Sequence, residues 1–314
     1  MKNVAIREQI IAFLKEQREK DANFSQSKLE LKLGIRKTYI SQYLNNPDFK
    51  YAAGVEEKFA IFLKEVEEKT QVKKQIMGLN NLDFIETSDV KRIFSRLLLA
   101  SMQGDRISVI LGASGTGKTR IAKEYCKSHL EAIFIEATPD MNAKDILKKL
   151  CEELNLGEFK SNHSGILKVA TALKQSGKYI IVDEAEHLKW RVLETLRRIM
   201  DFSKQPLILV GTHWLADSLS SGRLGSKREQ ELAQLRNRCL GRYELKGLQK
   251  EEYVEICKVS GIPTNCAWKL WELGRGNFRQ SEGVLRLTLA RVSLSGKESA
   301  TLEDLESTRA MMYL

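Results

Sequence analysis

The sequence predicts an α/β protein built on a parallel sheet, with an all-helical segment before the sheet and a second helical segment after it. Four short apolar runs alternate with helix-length segments, a pattern typical of a buried parallel sheet. They are Ile107–Leu111, 132–135, 179–182 and 207–210. Outside this region we find helical periodicity without strand signals. The predicted organisation is a helical domain at 1–68, a linker at 69–86, an α/β domain at 87–246 and a helical lid at 247–314.

The N-terminal segment has the outline of a helix-turn-helix. Leucines lead into Gly34, and a second helix is predicted to begin near Arg36 and Lys37. In this interpretation Arg36 and Lys37, with Thr38, Tyr39 and Gln42, face DNA. Ile35, Ile40 and Leu44 are then core residues. A small helical bundle that contacts another protein is the alternative.

Composition points to partners that carry negative charge. Lysine and arginine number 51 against 41 aspartates and glutamates, a net charge of +10, and nucleic acid is the commonest such partner. We find no apolar run long enough to span a membrane and no signal peptide. Five cysteines without C-x-x-C spacing indicate neither a disulfide framework nor a zinc site. We therefore expect a cytoplasmic protein with no membrane partner.

A glycine-rich loop directly follows the first apolar run and fits G-x-x-x-x-G-K-[ST]. A strand that turns through glycines into a helix aims backbone N–H groups at one point, as a phosphate cradle requires. Lys118 is expected to reach the β- and γ-phosphates and Thr119 to hold Mg²⁺. The predicted nucleotide-binding residues are Gly112, Ala113, Ser114, Gly115, Thr116, Gly117, Lys118, Thr119 and Arg120. A chance glycine-rich turn is the alternative.

Two adjacent carboxylates, Asp183 and Glu184, close a later apolar run. Ligands of open α/β sheets bind outside the carboxyl ends of the strands, so both acids are expected beside the phosphate loop. Asp183 is then a second Mg²⁺ ligand, and Glu184 is the base that orients and deprotonates the attacking water. Considered alone, Asp-Glu after a strand is also an ordinary helix start.

Three further polar positions are candidates for contact with the γ-phosphate. Thr212, or alternatively His213, follows the last apolar run and either senses the γ-phosphate or merely ends the strand. Arg236 or Arg238 is a candidate arginine finger that acts on a neighbouring subunit's nucleotide. Arg279 is placed to reach the γ-phosphate of its own subunit. Single arginines are usually surface residues, so only a family pattern selects these.

The order of these motifs resembles the AAA+ ATPase superfamily. Within it, the chain is most similar to the transposition protein B family of transposable phages such as Mu. The similarity rests on the helix-turn-helix outline, Thr138-Pro139, the run 182–188, Gly211-Thr212-His213, Arg236-Asn237-Arg238 and Asn277-Phe278-Arg279. This resemblance favours Arg238 over Arg236 as the finger. The chain departs from the family pattern at Thr212, where asparagine is typical.

The resemblance implies ATP and Mg²⁺ as cofactors and an ATP-dependent helical filament on double-stranded DNA. It further implies that the filament presents DNA to a separate transposase and that hydrolysis releases it. Contacts with DNA are expected from lysines on a helix after Thr138-Pro139 and from basic residues nearby, although a solvated lysine face is the alternative for each. The candidates are Lys144, Lys148, Lys149, Lys160, Lys168 and the loop 223–228, with Arg223 foremost.

Two other functions remain open from the sequence. One is a helix-turn-helix transcription regulator whose ATPase domain controls its oligomeric state. The other is a replication initiator or helicase loader of the same superfamily. Binding to one operator sequence would favour the regulator, whereas indifferent DNA binding that requires ATP favours the transposition protein.

Overall fold

The fold is described from a computed structural model, in which residues 2–20, 30, 33–46, 52–80, 84–220 and 233–312 are described. The chain divides into two compact units. One comprises Met1–Met77 with Leu289–Glu298, and the other comprises Gly78–Thr288 with Ser299–Leu314. The α/β part and most of the C-terminal helices therefore share one unit. The domain boundaries given above stay predictions.

Among the described residues, the helices of the first unit include α1 (Lys2–Lys20), α2 (Lys37–Asn45) and α3 (Ala52–Asn80). Their buried core includes Ile10, Ile35, Ile40, Tyr43 and Phe59. Leu44 is partly buried against this core. The side chains expected to face DNA, namely Arg36, Lys37, Thr38, Tyr39 and Gln42, are all exposed. The helix-turn-helix interpretation itself stays a prediction.

The predicted linker at 69–86 is partly helical, because α3 continues without a break to Asn80. Proline is absent from 52–80, and the segment carries helix-compatible pairs at i, i+4 spacing. Lys69 Nζ lies 3.3 Å from Glu65 Oε2, and the Thr70 hydroxyl donates to the Val66 carbonyl at 2.6 Å. Residues 69–80 of the predicted linker therefore continue α3 and do not form an irregular connection.

A five-stranded parallel sheet forms the centre of the second unit. Its strands are β1 (Ile107–Leu111), β2 (Ala132–Glu136), β3 (Tyr179–Asp183), β4 (Leu207–Gly211) and β5 (Cys239–Glu244), in the order β2-β3-β4-β1-β5. The predicted α/β class and the first four strands are confirmed. The sequence analysis missed β5, an edge strand on which exposed and half-buried residues alternate instead of forming an apolar run.

Helices cover both faces of the sheet. The second unit contains α4 (Ser88–Ser101), α5 (Lys118–Ser128), α6 (Ala143–Glu153), α7 (Asn162–Ser176), α8 (Trp190–Ser203) and α9 (His213–Ser220). After the sheet follow α10 (Glu252–Ser260), α11 (Ala267–Gly274), α12 (Phe278–Leu294) and α13 (Leu302–Arg309). Thr87 caps α4, because its hydroxyl oxygen accepts from the Val90 backbone N–H at 3.3 Å.

Successive residues of each strand point to opposite faces, so the sheet supports two separate cores. Ile107, Val109 and Leu111 pack with α6 to α9, whereas Ile110 packs with α4 and α5. This burial holds the carboxyl ends of β1, β3 and β4 side by side. In the described part of the chain, no helix is long and apolar enough to cross a membrane.

Candidate nucleotide site

The glycine-rich loop between β1 and α5 is shaped by its own backbone. Gly117 has φ +92° at the start of α5 and Gly115 has φ +80°, a region that L side chains rarely adopt. The Thr116 hydroxyl donates to the Ala113 carbonyl at 2.8 Å. The loop therefore turns tightly into the helix N-terminus, where free backbone N–H groups favour an anion.

Lys118, the first residue of α5, is buried inside this loop. Its Nζ donates to the carbonyls of Gly112 at 2.8 Å and Ala113 at 3.0 Å. Burial lowers the pKa of Lys118, and the carboxylates of Glu186, Glu184 and Asp183 oppose that shift. The ammonium group thus sits among three acids at the point where the sequence places phosphate.

Asp183 ends β3 and is fully buried. Neither of its carboxylate oxygens has a hydrogen-bond partner among the described residues, and burial raises the pKa of the carboxyl. The hydroxyl of Thr119 and the ammonium of Lys118 act in the opposite direction. An unpartnered buried carboxylate beside a threonine hydroxyl fits Mg²⁺, which needs only one or two protein ligands beside phosphate oxygens. In the described part of the chain, no cluster of three or more acidic, histidine or cysteine side chains forms a self-sufficient metal site.

Glu184 turns the chain out of β3 with a left-handed backbone, at φ 53°. This conformation is uncommon for a residue with a side chain and clusters at functional sites. Its Oε2 lies 3.6 Å from Nε2 of His187. Burial, followed by the charges of Glu186 and Asp183, raises the pKa of Glu184. A half-buried carboxylate with a raised pKa is suited to accept a proton from water.

Residues of the C-terminal helices close directly over the phosphate loop. Asn277 Nδ2 donates to the Ser114 carbonyl at 2.7 Å, and the Phe278 N–H donates to the Gly115 carbonyl at 2.9 Å. A Cβ at Gly115 would lie 2.2 Å from Asn277 Oδ1, so this approach requires glycine. Arg279 Nη1 lies 3.5 Å from the Ser114 hydroxyl. The predicted lid arginine is therefore beside its own subunit's loop.

A cavity of about 620 Å³ connects these elements. Predicted site residues that line it include Lys118, Thr119, Glu184, Thr212 and Arg279, together with Ser114, Gly115 and Gly117 of the loop. Its apolar part is lined by Phe84, Ile85, Val90, Leu248, Ile256 and Phe278. Its volume lies in the range of small-molecule sites, and its two halves suit an apolar base and a charged phosphate chain. Arg120 also lines it.

Arg238 lies outside this cavity, immediately before β5. Its carbonyl accepts from the Ile107 N–H at 2.9 Å, which places it at the start of β1, whereas the phosphate loop follows the end of β1. Its guanidinium donates to Asp201, with Nε 2.8 Å from Oδ1. Asp201 also pairs with the buried Arg197. Arg238 is therefore held in one orientation and is separated by the strand from its own phosphate loop.

The lysines predicted to contact DNA lie on or beside α6 and α7. Lys144, Lys148, Lys149 and Lys160 are exposed. Lys168 is less available, because its Nζ donates to the carbonyls of Gly157 and Glu158 at 2.8 and 3.2 Å. Arg223 and the rest of 223–228 lie outside the described residues.

Two residues were missed as site candidates in the sequence analysis. Asn277 appears there only as part of a motif, although it makes the shortest hydrogen bond from the lid to the loop. Glu186 appears only inside an acidic run, yet its Oε1 accepts the Thr212 backbone N–H at 3.0 Å. A contact across 26 residues has no local signal. An acidic residue just beyond Asp183 and Glu184 was the only available clue.

Comparison with known proteins agrees with this geometry. Residues 101–219 match the family model described as AAA domain. The Mu-like prophage FluMu DNA transposition protein B of Haemophilus influenzae is 27% identical over 250 residues, covering 78% of this chain and 83% of that protein. The ATP-dependent target DNA activator B of Escherichia phage Mu is 29% identical over 229 residues, covering 70% of each.

A solved structure shows the same fold. Cdc6p from Pyrobaculum aerophilum superposes with a TM-score of 0.54 at 14% identity, covering 69% of this chain and 65% of that one. The loop, the acidic strand end and the parallel sheet thus define a AAA-domain ATPase. Its curated homologues are the transposition B proteins of Mu-type phages and prophages, which confirms the resemblance.

Proposed function

We propose that this ATPase binds duplex DNA without strong sequence preference, assembles on it as an ATP-dependent filament, and delivers it to a separate transposase. The observation that supports this most directly is the division of the site. Lys118, Glu184 and Arg279 line one cavity, whereas Arg238 is held at the far end of the neighbouring strand. An arginine finger at the opposite end of the strand from its own phosphate loop can act only on the nucleotide of a second copy, so the complete site needs two copies.

In the proposed reaction the phosphate loop and Lys118 bind the triphosphate of ATP. Asp183 and Thr119 would hold Mg²⁺, which when bound would neutralise charge on the phosphates. Glu184 takes a proton from the attacking water, while Thr212 and Arg279 orient the terminal phosphate. Arg238 of the adjoining subunit stabilises charge on the phosphoryl group as it is transferred. Loss of that phosphate weakens the contact between subunits and releases DNA.

DNA contact is assigned to exposed lysines near α6 and to the first unit. Lys144 and Lys148 share one face of α6 at i, i+4 spacing, and such contacts with phosphates depend on salt rather than on base sequence. The exposed side chains of Arg36 and Lys37 at the start of α2 support a second contact. The proposed location is the cytoplasm of a bacterial host.

Electron microscopy of the full chain with plasmid DNA tests this proposal. With ATP and Mg²⁺ we expect continuous filaments, and with ADP we expect bare DNA. Lys118→Ala, which removes the ammonium from the phosphate site, is expected to give bare DNA with either nucleotide. Lys127→Ala is the matched control, because this exposed lysine lies on the same helix but pairs with Glu124.

Other results would favour other functions. Discrete complexes at one site in a defined sequence would support the transcription regulator. Filaments that form equally with ADP, or with Lys118→Ala, would contradict the role of ATP as the assembly signal. Complexes that melt duplex DNA or recruit a helicase would support the replication initiator or loader.

A further inference from the structure

Glu186 connects two parts of the ATPase site that are far apart in sequence. It lies in the short turn Ala185–His187 after β3, and its Oε1 accepts the backbone N–H of Thr212 at 3.0 Å. Thr212 is the first residue after β4 and lines the nucleotide cavity. The Glu186 carboxylate therefore joins the acidic end of β3 to the polar end of β4.

The second oxygen of this carboxylate is enclosed. Glu186 Oε2 is buried and has no hydrogen-bond partner among the described residues. A Cβ built on Gly211 would lie only 2.4 Å from this oxygen, and Leu215 flanks the same space. Any side chain at residue 211 would therefore displace the carboxylate. Gly211 at the end of β4 provides the room that Glu186 occupies.

The charge of Glu186 also acts on the lysine of the phosphate loop. Among the acids that keep the pKa of Lys118 from falling further, Glu186 acts more strongly than Glu184 or Asp183. Glu184, in contrast, is half exposed and lies near His187. The two glutamates thus have different surroundings: Glu184 lines the cavity, whereas Glu186 is hydrogen-bonded to the residue that follows β4.

We propose that Glu186 is a positioning residue of the ATPase site: it fixes the end of β4 so that Thr212 faces the terminal phosphate. This assignment rests on the proposed roles of Glu184 and Thr212. This role explains how Thr212 can contact the terminal phosphate at a position where asparagine is typical. Because threonine is shorter than asparagine, its backbone must be held in a more closely defined position. Glu186 acts through the Thr212 N–H, and its action depends on an acceptor oxygen rather than on charge.

Two substitutions separate these roles. Glu186→Ala removes the acceptor, and we expect kcat for ATP hydrolysis to fall about 10- to 100-fold, the size of a small misplacement in an active site. Glu186→Gln keeps an acceptor oxygen, and we expect kcat within about threefold of the unaltered chain. In both variants the Kd for a fluorescent ATP analogue is expected to change less than about threefold, because the phosphate loop is untouched.

A third substitution approaches the same contact from β4. Gly211→Ala places a methyl group where the Glu186 carboxylate lies, so kcat is expected to fall. In the Glu186→Ala background the methyl group displaces no carboxylate but still meets Leu215, at 3.1 to 3.2 Å, so Gly211→Ala should cause a smaller further loss. Circular dichroism of each variant checks that the fold is retained.

Three results would overturn the assignment: unchanged kcat in Glu186→Ala, equal loss in Glu186→Gln and Glu186→Ala, or additive loss in the double variant. A different result would contradict the proposed ATPase function itself. If the unaltered chain and Lys118→Ala hydrolyse ATP at the same background rate, the hydrolytic site itself is wrong, and the assignment of Glu186 is wrong with it.

Discussion

The side-chain amide of Asn277 donates to the main-chain carbonyl of Ser114 at 2.7 Å, so the C-terminal helices hold the phosphate loop directly. The same residue caps α12, since its Oδ1 accepts the Gln280 N–H at 3.1 Å. One asparagine therefore has two separable tasks. Its amide nitrogen serves the loop, and its oxygen serves the helix.

Asn277→Ser should weaken ATP binding without destabilising the lid. Serine preserves a helix cap but is too short to reach Ser114, so ordering of the loop is lost. We expect the Kd for ATP to rise about 3- to 10-fold, the cost of ordering a loop that the native chain already orders. Titration of a fluorescent ATP analogue measures this, and thermal unfolding is expected to be unchanged. A Kd equal to that of the unaltered chain would show that the lid contact does not order the loop.

Glu184→Gln should bind ATP normally and remain on DNA longer. Glutamine keeps the shape of the side chain but cannot take a proton from water, so hydrolysis is expected to slow about 10²- to 10⁴-fold. The rate of DNA release after a chase with excess unlabelled DNA measures the effect. Glu158→Gln, at an exposed position on another loop, is the matched control. Release at the unaltered rate would remove Glu184 as the base.

Arg238→Ala should lose at least tenfold in hydrolysis while each subunit still binds ATP, because a finger contributes mainly to the transition state. Arg236→Ala is the comparison variant: Arg236 is the alternative finger two residues away, and its guanidinium also has an acceptor within its own subunit, the Leu219 carbonyl. Mixing Arg238→Ala with Lys118→Ala subunits should restore part of the activity. The second variant then supplies its arginine to an intact phosphate loop of the first. Absence of rescue, with both variants folded, would contradict action between subunits.

Replacing Lys144 and Lys148 together by alanine should weaken DNA binding on every sequence. If each contacts one phosphate, the salt slope of log K falls by about 0.9 for each lysine removed. Fluorescence anisotropy at several salt concentrations measures the slope. Lys174→Ala with Lys178→Ala removes the same charge from an exposed position on α7 and a partly exposed position just after it. An equal change in slope in that control would show a general charge effect.

Tyr43→Phe should destabilise the first unit alone. The buried Tyr43 hydroxyl donates to Glu56 Oε1 at 2.8 Å, and burial together with Glu56 raises the pKa of Tyr43, so it stays a donor. Its removal leaves a buried carboxylate short of a partner, at a cost of about 1–3 kcal/mol. Hydrogen exchange of the α2 amides should accelerate. Tyr39→Phe, an exposed tyrosine on the same helix, should leave exchange unchanged. Equal exchange in both variants would contradict the role of this bond.

Local patterns predicted the phosphate loop and the first four strands, because both depend on residues adjacent in sequence. Lys118, Thr119, Glu184 and Thr212 line one cavity because the parallel strands that precede them end at one edge, and Arg279 reaches the same cavity from α12. The missed features depend on distant residues or on weak local signals. An edge strand needs no apolar run, and the Glu186 contact with Thr212 exists only once β3 and β4 are neighbours.

The extension of α3 through 69–80 was missed because residues typical of loops obscured it. Gly78 and the asparagines at 80 and 81 locally favour a turn, yet α3 continues to Asn80. Composition alone therefore suggested a linker.

Because β1 and β5 run parallel, the phosphate loop and Arg238 lie at opposite ends of the same pair of strands. The phosphate loop leaves the last residue of β1, and Arg238 enters beside the first, so about five residues of strand, roughly 16 Å, lie between the two groups. Copies joined through loop and arginine must all point the same way, and their contact is heterologous. In an open assembly the two ends then differ. At one end Arg238 contacts no neighbouring phosphate loop, and at the other end the phosphate loop receives no arginine from a neighbouring copy. The rate of hydrolysis per subunit should accordingly rise with the length of the assembly, and copies should dissociate more slowly from one end than from the other.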